Sequence, residues 1–291
     1  TGPGPGSGKL ATCLCNLYHE YKNGVKAGYA KFETFPIWDL PIDHKVNIAY
    51  EAATVDLKDE VMIDTDHLKT YGVSIVNYNR DIEAFHLLKR ILEKITGGES
   101  MYQSPTDMGV NRASSGIVND GIITAAAHQE IIRRYLRCAV EYALGLADKE
   151  TLDQAVRVMN KVHGKAEDRK VVLPARRAAE EAERSGKGNA GFFCGAAVEL
   201  HDGTIITGKN SALMHASSSR VLNAAKHLAG LPDKMYLLPE NIIDSVTHLK
   251  KDILHGKMVS LDVDETLIVL GISALSNPAA KMALENLKYL R

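Results

Sequence analysis

The sequence has no excess of charge of either sign, because its 291 residues carry 35 basic and 36 acidic side chains. The two kinds are interspersed, as in the segment from Lys165 to Lys170. An extended nucleic-acid surface needs a clustered positive field. The composition therefore argues against nucleic acid as a partner, and it leaves room for a local basic pocket that holds one phosphate group.

The sequence also lacks an apolar run long enough to span a bilayer, and it has no signal-peptide pattern. A metalloprotease helix is missing, since Asn23 stands where a second histidine would follow His19-Glu20. No zinc or disulfide spacing is found among its four cysteines, which are Cys13, Cys15, Cys138 and Cys194. We therefore expect a cytoplasmic protein with no membrane partner, no metal-binding residues and buried, reduced thiols.

What the sequence does have is a glycine-rich segment, T-G-P-G-P-G-S-G-K, from Thr1 to Lys9. Glycine lets backbone N–H groups turn toward an anion, and the N-terminus of a following helix adds a partial positive charge. Lys9 would add a full charge to the same anion. The segment predicts a site for a nucleotide or another phosphorylated small molecule, formed by Gly4, Gly6, Ser7, Gly8, Lys9 and Thr12.

The segment departs from the standard P-loop pattern at two positions. The first glycine of the pattern falls on Pro3, and Leu10 occupies the place of the hydroxyl residue that holds magnesium. Thr12 is the nearest hydroxyl that can substitute, so the sequence leaves open whether a nucleotide binds with or without Mg²⁺. A cloning scar or a flexible terminus is the alternative interpretation, and the regular amphipathic helix that follows argues against it.

Apolar residues at three- and four-residue steps from Leu10 to Tyr21 predict a helix that stops at Gly24, followed by a short strand over 27–34. Loop, helix and strand in this order are typical of a βαβ unit, so we expect the strand before the loop to lie upstream of Thr1. Further along, the pattern predicts helices over 82–95, 121–144, 151–163, 174–184 and 217–229, a hairpin of 196–200 with 204–207, a strand over 235–238 and three final helices.

These elements predict an α/β protein in three parts. Residues 1–115 would form an N-terminally truncated, P-loop-like or Rossmann-like three-layer unit that binds phosphate. Residues 116–186 would form a helical insert. Residues 187–291 would form a small C-terminal α/β subdomain, with the hairpin and helix order of a cytidine deaminase but without its zinc ligands.

The first third of the sequence is rich in polar side chains that lie among aromatic residues. Ligands of open α/β sheets lie outside the carboxyl ends of strands, so Glu33, at the end of the predicted strand, is the best candidate. Together with Lys9 and Asp107 it forms the predicted catalytic set, with Glu33 and Asp107 as magnesium ligands or general bases. Asp107 can equally cap the turn that begins at Ser104.

Asp262, Asp264 and Thr266 match the D-x-D-x-T loop of haloacid-dehalogenase-type phosphatases. That fold needs a downstream lysine and acidic pair that a whole domain supplies, and only about two dozen residues follow the motif in this sequence. Asp262 also lies three residues before Glu265, which is the spacing of a capping box at a helix N-terminus. We therefore predict a helix cap at this motif and no phosphatase site.

Several segments together resemble the bacterial family named domain of unknown function 1846, also called uncharacterised protein family 0371. The resemblance covers essentially the whole chain and is carried by residues 1–9, 28–41, 47–54, 76–81, 104–111 and 129–135. It implies a P-loop-like first part, a helical insert and a small terminal α/β subdomain, in proteins that are longer at both ends. It implies no particular activity.

Two functions are compatible with these patterns. The leading hypothesis is an enzyme that binds a nucleotide or phosphometabolite, in which loop N–H groups and Lys9 neutralise charge that develops on the phosphate. The alternative is a non-catalytic ligand-binding or assembly protein that keeps the anion-binding loop, and Leu10 in the magnesium position favours it. In either case we expect a homo-oligomer.

Overall fold

The computed structural model describes residues 7–290, and the chain divides into two compact units between Ala166 and Glu167. This division falls between the boundaries at 115/116 and 186/187 that the sequence suggests. Helices and small sheets occur in both units, so the general α/β class is confirmed.

From residue 7 onward, the first unit contains ten α-helices and β-strands, besides short 3₁₀ turns, and its strands form two small sheets. Strands β1 and β4 pair in parallel, with Glu33 opposite Asn111, while β2 and β3 pair antiparallel. The elements are α1 (Lys9–Lys22), β1 (Lys31–Glu33), α2 (Lys45–Ala53), β2 (Val61–Ile63), α3 (Thr65–Tyr71), β3 (Val76–Tyr78), α4 (Asn79–Thr96), β4 (Gly109–Asn111), α5 (Asp120–Ala143) and α6 (Lys149–Lys161).

Two apolar clusters hold these elements together. In the first, Leu17 of α1 packs with Phe85 and Leu92 of α4, which is why the apolar steps of both helices are visible in the sequence. In the second, Ile48 of α2 packs with Ile131 of α5 and with the apolar face of α6. Because α5 and α6 pack on α2, the helical region is continuous with the residues before it in this unit.

The second unit is built around one antiparallel hairpin. Its elements are α7 (Val172–Arg184), β5 (Gly195–Glu199), β6 (Ile205–Lys209), α8 (Ala216–Leu228), α9 (Glu240–His248), α10 (Val263–Ser273) and α11 (Pro278–Asn286), with a π-helical turn at Leu249–Ile253 and a 3₁₀ turn at Leu287–Leu290. The predicted hairpin is confirmed, with Val198 opposite Ile206.

Two glycines let helices contact the hairpin backbone directly. A Cβ atom on Gly195 would lie 2.0 Å from the carbonyl oxygen of Ala175 in α7. A Cβ atom on Gly208 would lie 2.1 Å from the backbone nitrogen of Arg220 in α8. Gly195 and Gly208 belong to neighbouring cross-strand pairs, so α7 and α8 cover opposite faces of the hairpin. This packing places α7 in the second unit.

The strand predicted over 235–238 is wrong, because the structure has no strand there. Leu237 and Leu238 are buried in the main cluster of the second unit, whereas Tyr236 is 90% exposed. The apolar residues therefore pack individually between Pro232 and Pro239, and no neighbouring strand pairs with them.

The helix cap predicted at Asp262 is confirmed. The Oδ1 atom of Asp262 accepts the backbone N–H of Glu265 at 2.8 Å, and Oε2 of Glu265 accepts the backbone N–H of Asp262 at 3.0 Å. The Thr266 hydroxyl donates to the carbonyl oxygen of Asp262 at 2.6 Å. These bonds hold Asp262 and Thr266 of the phosphatase-like motif in the first turn of α10.

Candidate functional site

The part of the glycine-rich loop that the structure describes consists of Ser7, Gly8 and Lys9, all of which are exposed. Gly4 and Gly6 lie outside the described residues. Gly8 adopts a left-handed conformation with φ +79° and is the N-cap of α1, where it offers no capping side chain. The first N–H groups of a helix have no partner within the helix. The loop thus leads into a helix N-terminus that no N-cap side chain covers.

The Thr12 side chain is hydrogen-bonded to the backbone at the start of α1. Its hydroxyl donates to the carbonyl oxygen of Gly8 at 3.1 Å, and its backbone N–H donates to the same oxygen at 3.0 Å. The hydroxyl is therefore part of the first turn of α1. Leu10, in the position of the usual magnesium-binding hydroxyl, is 45% exposed.

Glu33 lies in a cluster of three charged residues at the carboxyl end of β1, which we call the Lys31–Glu33–Asp81 cluster. Residues two apart on a strand share a face, so Lys31 and Glu33 meet, and their side chains form an ion pair. The ammonium group of Lys31 also donates to Oδ2 of Asp81, in the first turn of α4, at 2.6 Å. The side chain of Glu33 is only 7% exposed, whereas that of Lys31 is 42% exposed.

Burial and charge act in opposite directions on the pKa values of this cluster. Burial raises the pKa of Glu33 above its usual value, although the ammonium group of Lys31 partly opposes the shift. Burial disfavours the charged form of Lys31, but the carboxylates of Asp81 and Glu33 overcome it and raise the pKa of Lys31. The cluster therefore contains a carboxyl group with increased proton affinity beside a firmly protonated amine.

Two tyrosines extend the cluster. The ammonium group of Lys31 lies 5.6 Å from the ring centroid of Tyr78, and the Tyr78 hydroxyl donates to the carbonyl oxygen of Phe35. Tyr50 lies beside Tyr78, with ring centroids 5.1 Å apart. Burial raises the pKa values of both phenols, so they remain protonated hydrogen-bond donors at neutral pH.

An ion pair between a buried acid and an exposed base lies next to the tyrosines. Oδ2 of Asp59 is 3.4 Å from the Tyr50 hydroxyl, and Oδ1 is 2.6 Å from Nε of Arg80. Asp59 is 1% exposed, so its charge depends on the Arg80 guanidinium for compensation. The polar network thus runs from Lys31 through the two tyrosines to Arg80.

Tyr29 connects α1 with the Lys31–Glu33–Asp81 cluster. Burial raises the pKa of the Tyr29 phenol, and the charges of Lys31, Asp81, Glu33 and the Cys13 thiol on α1 also influence it. Tyr29 also packs against the apolar cluster that α1 and α4 share. Cys13 of α1 and the charged residues at the carboxyl end of β1 therefore all influence the pKa of the Tyr29 phenol.

Asp107 belongs to a different network. One of its carboxylate oxygens accepts hydrogen bonds from the backbone N–H of Gln103 at 2.7 Å, from that of Ser104 at 3.1 Å and from the Tyr71 hydroxyl at 2.9 Å. The other oxygen lies 3.7 Å from Nδ1 of His67. This arrangement agrees with the capping alternative, and the structure does not bring Asp107 into contact with the Lys31–Glu33–Asp81 cluster.

Sequence reasoning missed two important residues of the network, Lys31 and Asp59. The spacing of two between Lys31 and Glu33 on a predicted strand was the signal that could have found Lys31. Asp59 lies in the loop between α2 and β2, and no local pattern reveals its contacts with Tyr50 of α2 and Arg80 of α4. Glu51, 2% exposed, is similar: it accepts from Lys161 at 2.7 Å, 110 positions along the chain.

The expected burial of the cysteines is wrong for three of them. Cys13, Cys15 and Cys194 are exposed, and only Cys138 is buried. Within residues 7–290, no group of three or more histidine, cysteine or acidic side chains is arranged to hold a metal ion. In the same range, no helix is long and apolar enough to cross a membrane.

Comparison with known proteins gives one consistent family. The profile described as "Domain of unknown function DUF1846, N-terminal" matches residues 1–163, and its C-terminal counterpart matches residues 167–291. A "UPF0371 protein" of Clostridium botulinum (strain Alaska E43 / Type E3) is 52% identical over 292 residues, which is 100% of this chain and 58% of the relative. A "UPF0371 protein" of Clostridium tetani (strain Massachusetts / E88) is 51% identical over 291 residues, with the same shares covered. The chain thus spans 58% of the length of these curated relatives.

Proposed function

The chain belongs to the family described as domain of unknown function DUF1846, and from its candidate site we propose that the first unit binds a phosphorylated small molecule at Ser7–Lys9. In this proposal Glu33 exchanges a proton with the bound molecule. The loop, α1 and the parallel β1–β4 pair would then act as a P-loop-like, Rossmann-like unit. The conformation of Gly8 is the observation that carries the proposal.

Gly8 supports anion binding in two ways. Its left-handed φ of +79° turns the chain sharply into α1, and residues other than glycine rarely adopt this backbone conformation. Its lack of a side chain leaves the first N–H groups of a 14-residue helix without an N-cap side chain, at the end where the helix dipole is positive. Lys9 follows directly and brings a full positive charge to the same place.

Leu10 occupies the position of the usual magnesium-binding hydroxyl, and the Thr12 hydroxyl donates to the carbonyl oxygen of Gly8 within the first turn of α1. We therefore infer that loop N–H groups and Lys9 supply the charge compensation, and that binding persists when Mg²⁺ is chelated. A nucleotide that brings its own Mg²⁺ remains compatible with this site.

Glu33 is the proposed proton-exchanging group because its surroundings fit that role. Proton transfer is most efficient when the pKa of the group lies near the working pH, and burial moves the pKa of Glu33 in that direction. Lys31, ion-paired with Glu33 and 42% exposed, would orient the carboxylate and face the substrate phosphate. Asp107 is left out of this proposal, since its carboxylate already caps the turn at Ser104.

Isothermal titration calorimetry of the full-length protein tests the phosphate site. Inorganic phosphate, ATP, GTP and glucose 6-phosphate would each be titrated with Mg²⁺ and with a chelator. We expect binding of at least one probe under both conditions, and about 10- to 100-fold weaker binding by Lys9→Ala, since a charge-assisted hydrogen bond contributes roughly 1.5–3 kcal/mol.

Lys22→Ala is the matched control, because Lys22 is an exposed lysine in the last turn of the same helix. Its binding constants should equal those of the unmodified protein. Equal effects of the Lys9 and Lys22 variants, or no binding of any probe, would show that the loop is not a phosphate site.

A non-catalytic binding or assembly role is the second candidate, and Leu10 in the position of the usual magnesium-binding hydroxyl favours it. In that case the probes bind but none is turned over. Turnover of a bound probe that Glu33→Gln abolishes, with its binding retained, would decide for the enzyme.

A further inference from the structure

The second unit contains a cavity of its own, whereas the proposed phosphate site belongs to the first unit. Its volume is about 290 Å³, close to the lower limit of the ~300–1,000 Å³ typical of small-molecule pockets. Its lining consists of Val198 of β5, Arg220 and Val221 of α8, Leu267 of α10, and Leu287 and Leu290 of the final 3₁₀ turn. Arginine is thus the one polar side chain among five apolar ones.

Arg220 has no hydrogen bond or ion pair with any other residue in the range 7–290 that the structure describes. Its Nε atom is buried and has no acceptor there. A buried N–H group without an acceptor is costly. Structural arginines elsewhere in the chain avoid this, as Arg80 does with Asp59 and Arg133 with Glu130.

The position of Arg220 is fixed by the hairpin and not by a polar partner. Gly208 of β6 lies against the backbone nitrogen and Cα of Arg220, so that α8 sits directly on the hairpin. The side chain therefore leaves a rigid part of α8 and lines the cavity between Val198 and Leu267. A rigid guanidinium at an apolar cavity is a preorganised receptor for a planar anion.

We propose that this cavity binds a small amphipathic carboxylate, whose carboxylate group pairs with Arg220 and whose aliphatic part contacts Val198, Leu267 and the leucines of the final turn. The carboxylate would supply acceptors for the Nε and terminal N–H groups of Arg220 in the bidentate geometry that arginine favours. The five apolar side chains match an aliphatic body and offer nothing to a sugar or a base. The site is independent of the phosphate site, which lies in the other unit.

The test uses the full-length protein and octanoate as probe, with binding followed by calorimetry and by the rise in melting temperature. We expect saturable binding of octanoate and little binding of 1-octanol, which has the same chain and no charge. Arg220→Met should weaken octanoate binding about 10- to 100-fold, as expected for loss of a charge-assisted hydrogen-bonded pair. Arg177→Met, at an exposed arginine of α7, is the matched control and should bind octanoate normally.

Three further measurements separate loss of ligand binding from effects on the structure. Without ligand, Arg220→Met should melt at a higher temperature than the unmodified protein, because it removes a buried N–H group that has no acceptor, whereas loss of a structural arginine would lower the melting temperature. Leu290→Trp fills the cavity and should abolish octanoate binding with the charge intact. Lys9→Ala should leave octanoate binding unchanged, so failure of the phosphate site does not affect this result.

The proposal is overturned if octanoate does not bind, or if it binds equally to the Arg220→Met variant. If octanoate does not bind and Arg220 is shielded from solvent in the full-length protein, a segment of the protein's own chain occupies the cavity instead. Equal binding of octanoate and 1-octanol would reduce the site to a non-specific apolar contact.

Discussion

At the scale of single residues, the chain uses buried charge in two contrasting ways. Glu33, Asp59 and Glu51 are buried acids, and each has a basic partner that is itself largely exposed, namely Lys31, Arg80 and Lys161. The exposed partner keeps most of its hydration, so the pair avoids the full cost of moving two charges out of water. Arg220 is the opposite case, a partly buried base without an acid in the part of the chain that the structure describes.

Glu33 gives a pH-dependence prediction. Burial raises its pKa above the usual value of 4.5, so the folded protein binds a proton there more tightly than the unfolded chain does. Its contribution to the free energy of unfolding is therefore fully present below about pH 4.5 and is lost as the pH rises through the raised pKa. Glu33→Gln removes this dependence, so the stability of the variant relative to the unmodified protein should increase as the pH rises from about 4 to about 7.

Urea denaturation of both proteins at a series of pH values measures this difference. Glu83→Gln is the control, because Glu83 is an exposed acid on the same helix as Asp81. Parallel stability curves for the Glu33 variant and the unmodified protein would show that the carboxyl group titrates alike in the folded and unfolded chains.

At the scale of elements, helix ends are where local sequence and structure agree best. The cap of α10 by Asp262 and the N-cap of α11 by Asn277 with Pro278 in the first turn follow from patterns within four residues. The strands are the opposite case, since β1 to β4 have three residues each and depend on partners distant in sequence. Pairing of Glu33 with Asn111 spans a chain segment that contains five other α-helices or strands, from α2 to α4, and no local pattern specifies it.

The α10 cap distinguishes a structural motif from a catalytic one. Asp262→Ala removes the acceptor for the Glu265 N–H and should lower the free energy of unfolding by about 1 kcal/mol, within a range of ~0.5–2 kcal/mol. Asp264→Ala should cost less, about 0.3–0.5 kcal/mol, because exposed Asp264 interacts with the helix dipole only. Urea denaturation measures both. A larger loss for the Asp264 variant would contradict the cap assignment.

At the scale of the whole molecule, the sequence predicts the α/β class, the long helices and the hairpin, because each depends on periodicity within one segment. It does not predict the division after Ala166, since that depends on α5 and α6 packing with α2 and on α7 packing with the hairpin. For the candidate site, the position of Glu33 at a strand end was predictable, whereas its burial against Lys31 and Asp81 needed the fold. Asp107 was assigned a catalytic role on composition alone, and its backbone hydrogen bonds favour the turn cap.

The two units should respond separately to damage in their cores. Ile131 and Leu270 are fully buried in the first and second unit, respectively, and replacing either with alanine should cost about 2–5 kcal/mol. In hydrogen-exchange mass spectrometry of the full-length protein, Ile131→Ala should accelerate exchange mainly in peptides before Ala166. Leu270→Ala should accelerate it mainly in peptides after Glu167. Equal acceleration on both sides of the boundary by either variant would show that the units unfold as one.

The close contact between Gly208 and α8 has a consequence for how this chain can vary. Any side chain at position 208 would act as a wedge against the nitrogen and Cα of Arg220, at 2.1 and 2.6 Å from its Cβ. The wedge would move the arginine that lines the cavity without altering a single lining residue. Substitution of this glycine would therefore change the position of Arg220 in the proposed ligand cavity. A relative with a larger residue at this position is expected to prefer a different ligand, or to have an arginine that binds none.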